Sequence, residues 1–109
     1  MSTDKERAKT IELAEKYIKR GKLQDAINEY KKLLSGSAQD INFRNIISDL
    51  YMKLNQKDKA VEELYKIASF YDERGLFSQT IVIYKKINRL MPDDIESTKK
   101  LADLYFNQG

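Results

Sequence analysis

An all-α fold of about six helices, paired into antiparallel hairpins, is predicted for this 109-residue chain by three observations. One proline and four glycines leave long stretches without the punctuation that a many-turned β-fold needs. Small and aromatic residues recur three and four positions apart, the spacing that lines up one face of a helix. The same pattern also returns in register along nearly the whole chain, which marks an internal repeat.

The first copy reads Ala14, Tyr17, Gly21, Ala26, Tyr30 and Leu33. Its spacings recur as Ser48, Tyr51, Asn55, Ala60, Leu64 and Ile67, and again as Ala68, Tyr71, Gly75, Thr80, Tyr84 and Ile87. A fourth copy begins with Ala102, Tyr105 and Gly109. Small residues on facing helices permit close approach, and the tyrosine fills the space beside them. Glycine or asparagine supplies the left-handed residue that ends the first helix of each pair.

Taken in order, the first helix is predicted over 4–20, opened by Thr3 with Glu6 three residues on, a capping-box pattern. The second, 23–35, carries Ala26, Tyr30 and Leu33 and ends at a Ser-Gly-Ser-Ala-Gln loop over 35–39. Asp40 is the expected cap of a third helix over 41–54. The copies are offset by 34, then 20, then 34 residues, and the short offset leaves no room for a separate helix between the second and third. The fourth helix, 57–74, is therefore expected to be continuous, closing one hairpin and opening the next. A fifth follows over 77–90, and Pro92 with Asp93 and Asp94 opens a sixth over 94–107. Where that helix ends, the pattern expects a further partner helix, and hence a longer protein of which this is the N-terminal part.

These residues resemble the tetratricopeptide repeat, a helix–turn–helix family of period about 34 residues. Ala14, Tyr17, Ala26 and Tyr30 match its small and aromatic positions, and Pro92 its closing proline. Thr10 stands where the family often has Trp, Asn55 replaces a glycine, and Thr80 replaces an alanine. The resemblance implies one domain over 1–109, with copies at 8–40, 41–67 and 61–93 and a half copy at 95–109. It also implies hairpins stacked into a short right-handed superhelix, disturbed in the middle by the shared helix.

Composition narrows the function classes. Twenty basic and 17 acidic residues are mixed along the chain, so the net charge of +3 comes without a basic stripe. Nucleic-acid binding is not expected on that ground. The polar N-terminus lacks a signal-peptide core, and no apolar run approaches the roughly 20 residues of a membrane span. A cytoplasmic, membrane-free protein is expected. Without cysteine or histidine, the thiol nucleophile, the usual general base and the common metal ligands are missing, so no enzyme, metal or cofactor is expected. The pairs Glu62-Glu63 and Asp93-Asp94 read as surface charges or caps. The lysine doublets at 31–32, 85–86 and 99–100 read as solvated faces. All the tyrosines but Tyr65 sit at repeat packing positions, so core packing is expected of them rather than base stacking.

What remains is a surface for a protein or peptide partner. In the family, the first helices line a groove, and the positions carried over are Ile11, Glu15, Ile18 and Lys19 in the first copy. The second copy supplies Asn42, Asn45, Asp49, Met52 and Lys53. Apolar Ile11, Ile18 and Met52 ringed by charge suit a groove that takes a helix or extended peptide. The competing reading is that Ile11 and Ile18 only widen the core stripe. Glu15 argues against the clamp with which some family members hold acidic C-termini. The alternative function is assembly, in which Leu104 and Phe106 of an open last helix pair with a second copy or another domain. Residues 70–77, Phe-Tyr-Asp-Glu-Arg-Gly-Leu-Phe, are similar to N-terminal modules of multi-domain proteins from gliding and predatory bacteria. Some of those engage a Ras-like polarity GTPase, which extends the expected partner to a motility or polarity GTPase.

Overall fold

The computed structural model of the chain describes residues 3–108, and those residues are predominantly helical. The helices are α1 (Asp4–Lys19), α2 (Leu23–Lys31), α3 (Asp40–Lys53), α4 (Lys57–Glu73), α5 (Phe77–Leu90) and α6 (Ile95–Gln108). No strand occurs among the described residues. The chain divides into two compact units, Met1–Ala60 and Val61–Gly109, with the division falling inside α4. That helix runs unbroken through 57–73, as the 20-residue offset requires.

The hairpin turns follow one rule three times. Gly21, Asn55 and Gly75 adopt positive φ of 74°, 62° and 70°. The left-handed residue swings the next amide back over the helix end, so that Lys22 donates to the Tyr17 carbonyl at 2.8 Å. Gln56 donates to Tyr51 at 2.9 Å and Leu76 to Tyr71 at 3.0 Å in the same way. The repeat tyrosine thus serves twice, its ring in packing and its carbonyl as the acceptor that closes the helix. Gly109, the fourth residue of this type, lies outside the described residues.

In the first unit, α1 packs on α2 and α2 on α3. Ala14 and Ala26 are fully buried, and Ile27, Tyr30, Leu33, Ile47, Leu50 and Tyr51 complete the core. Thr3 caps α1 by accepting the Glu6 amide at 3.1 Å. Two expectations need correction here. The second helix stops at Lys31 rather than 35, because Leu33 and Leu34 turn tightly, their amides donating to Tyr30 and Lys31. Asp40 caps the turn and not α3: it is the first residue of that helix, and its buried carboxylate accepts the Ser35 and Gly36 amides, both at 2.8 Å. A carboxylate that receives two backbone donors holds the turn out of helical conformation.

In the second unit, α5 packs on α6. Val61, Leu64, Ile67 and Ala68 of α4 are buried, as are Ile81, Ile83, Tyr84 and Ile87 of α5. Thr80 occupies the small position fully buried, with its hydroxyl satisfied by the Leu76 carbonyl at 2.9 Å. Asp94 caps α6 as expected, accepting the Ser97 amide at 3.0 Å. Glu63 is not a surface charge: it is buried, 3.8 Å from the Lys66 ammonium, while its neighbour Glu62 is exposed. Tyr105 departs from the core expectation, being 48% exposed, and Ala102 beside it is exposed too. No second helix covers that face of α6 among the described residues.

Candidate functional site

Each half of the predicted surface belongs to the first unit. On α1, Ile11 and Ile18 are half-buried and pack against the core cluster, while Glu15 and Lys19 are exposed. On α3, Met52 is half-buried in the same cluster, Asn45 is half-buried, and Asn42, Asp49 and Lys53 are exposed. The structure therefore gives these apolar residues a share in the core. Ile11, Ile18 and Met52 widen the core stripe with one side and face water with the other, with charged neighbours on the same helices. A side chain half packed into a core has less rotamer freedom left to lose than one fully in water.

The electrostatics reach inward from this surface. Burial, and after it the negative charge of Glu15, push the Tyr30 phenol above its ordinary value. Around the core tyrosines, cations sit on aromatic faces: Lys31 lies 5.4 Å and Lys59 5.9 Å from the Tyr51 ring centre. At these distances each ammonium is attracted by the negative face of the ring. Lys31 of the solvated doublet therefore has an aromatic contact.

Arg7 was not singled out by any sequence pattern. Its guanidinium donates to the Leu33 carbonyl at 3.1 Å and lies 5.9 Å from the centre of the Phe43 ring. Phe43 in turn lies 6.1 Å from Tyr30. One arginine thus ties α1 to the turn after α2 and to α3. No local signal predicts a partner 26 residues away.

In the second unit, the expected assembly residues separate. Leu104 is buried, whereas Phe106 is 85% exposed. Phe106 directly follows a repeat tyrosine, as do Ile18, Met52 and Asp72. Extending the groove positions from the first two copies to the fourth puts Phe106 in the same register. Phe77 (45% exposed) and Ile95 (70% exposed) are further apolar surface in this unit that carried no sequence signal. Tyr65, off the repeat pattern, stands edge-on to Tyr84 at 5.9 Å and donates its hydroxyl to Asp94.

Among the described residues no helix is long and apolar enough to cross a membrane, and no cluster of acidic side chains is arranged to hold a metal ion. Compared with models of known protein families and with curated proteins, the chain matches none.

Proposed function

We propose that this chain is a non-catalytic, tetratricopeptide-like interaction module that binds a partner protein or peptide through α1 and α3 of its first unit. One observation carries the reading: the position after the repeat tyrosine is apolar and solvent-accessible in three of four copies, as Ile18, Met52 and Phe106. The core accounts for one side of Ile18 and Met52; the sides left to water, and Phe106 nearly whole, have no packing reason to be apolar, and a binding surface supplies one. Ile18 and Met52 act as anchors, while Glu15, Lys19, Asp49 and Lys53 set orientation and specificity. The resemblance of residues 70–77 makes a bacterial polarity or motility GTPase the first partner to try.

The test is a pull-down from native lysate with wild type beside Lys19→Glu/Lys53→Glu. Both lysines are exposed, so the double variant leaves the core intact. A partner retained by wild type and lost by the variant supports the reading; equal retention by both rejects this surface.

The second reading is assembly through α6, favoured by the exposure of Ala102, Tyr105 and Phe106 on one helix. It predicts a mass that rises with concentration and falls back to the monomer in Phe106→Ser.

A further inference from the structure

The second unit contains a cleft of about 220 Å³ between the C-terminal end of α4, α5 and α6. Its apolar walls are Phe77, Tyr84 and Leu104, of which Tyr84 and Leu104 are buried and Phe77 is 45% exposed. Asp72 from α4 and Asp103 from α6 line it as well, both exposed. Neither aspartate makes an ion pair among the described residues, and Lys100 is the single cation in the lining. The field of Asp72 is felt inside: after burial, it is the next cause that raises the Tyr84 phenol above its ordinary value.

This arrangement is selective by charge. The whole chain carries +3, so an opening with two carboxylates against one ammonium runs counter to its overall balance. Its walls are aromatic and aliphatic and its two carboxylates are held on separate helices. A ligand that matches both parts has a flat, weakly hydrated cation on an apolar stem. Guanidinium meets that description: it stacks on aromatic faces and pairs with carboxylates through a planar fork of donors. An ammonium, hydrated more strongly and without a flat face, fits less well.

We propose that this cleft is a docking site for an arginine side chain of a protein partner, with its stem against Phe77 and Leu104 and its guanidinium between Asp72 and Asp103. The site stands on its own residues and does not require the α1 and α3 surface to bind anything.

The test is an NMR titration of the isotope-labelled chain with the dipeptide N-acetyl-Leu-Arg-amide, beside its citrulline counterpart. Citrulline keeps the shape and removes the charge. The expected result is saturable shifts at residues 72–77 and 100–107 with the arginine peptide only, weakened about tenfold in Asp72→Asn/Asp103→Asn. Both substitutions are at exposed positions, and an unchanged spectrum elsewhere reports an intact fold. Equal shifts with citrulline, shifts outside the cleft, or an unweakened response in the variant each overturn the proposal. So does the absence of saturable shifts in wild type.

Discussion

The Ser48 hydroxyl donates to the Ala60 carbonyl at 2.9 Å, so the two small positions of one repeat are bonded as well as closely packed. Both residues are essentially buried, and a larger side chain at either has nowhere to go. Ser48→Ala keeps the close approach and loses the bond, with an expected cost of about 1 kcal/mol. Ser48→Leu must separate the backbones and is expected to cost about 3 kcal/mol. Urea denaturation ranks the two; equal midpoints would show that the small residue is not what the packing requires.

Asp40 makes a comparable demand on the turn after α2. Its carboxylate accepts two backbone amides from a buried position. Asp40→Asn keeps one acceptor oxygen and is expected to lose about 1 kcal/mol, whereas Asp40→Ala strands both donors and loses about 2 kcal/mol. Hydrogen exchange at Ser35 and Gly36 should accelerate in both variants. Unchanged exchange at those two amides would show that the carboxylate is dispensable.

The Tyr65 hydroxyl bond to Asp94 gives stability a pH dependence at both ends. That bond, ahead of other causes, holds the Asp94 carboxyl below its ordinary 3.8, while burial and then the same bond raise Tyr65 above its ordinary 10.0. A depressed carboxyl contributes stability above its unfolded value, which is lost as pH falls through the folded one. A raised phenol contributes below its unfolded value, and that part is lost as pH rises from about 10 through the folded one. Tyr65→Phe should therefore be less stable near neutrality by about 1.5 kcal/mol and show shallower losses in acid and alkali. Denaturation midpoints across pH decide the matter, and parallel profiles for the two proteins would rule the coupling out.

At the turns, backbone conformation alone sets the cost of substitution. A Cβ on Gly75 meets nothing within 4 Å, yet its φ of 70° is unfavourable for most side chains. Gly75→Ala is expected to cost about 1 kcal/mol, and Gly75→Asn less, as Asn55 shows at φ 62°. Thermal midpoints of the two variants test the order. An alanine variant as stable as wild type would contradict the role of the left-handed residue.

The helices were legible because their signals are local. The Thr3 cap and the left-handed Gly21, Asn55 and Gly75 each depend on residues within one or two turns, and the 20-residue offset that makes α4 continuous is read from spacing alone. What was not legible depends on partners far apart in sequence. Asp40 reads as a cap for the helix that follows, and only the folded turn shows its carboxylate directed backwards. Arg7 reaches Leu33, and Tyr65 reaches Asp94 29 residues on, without a pattern to announce either. For the candidate surface, burial was not legible. The family resemblance singles out Ile11, Ile18 and Met52, but only packing shows how much of each is taken up by the core. The cleft of the second unit combines Asp72, Phe77 and Asp103 from three helices and left no trace in the spacing.

The most direct measurement of the central claim is hydrogen exchange of the chain with and without its retained partner. Binding through the positions after Tyr17 and Tyr51 should slow exchange in α1 over 11–19 and in α3 over 42–53, and leave α2 over 23–31 unchanged. Slowing confined to α2, or none in the first unit, would contradict it.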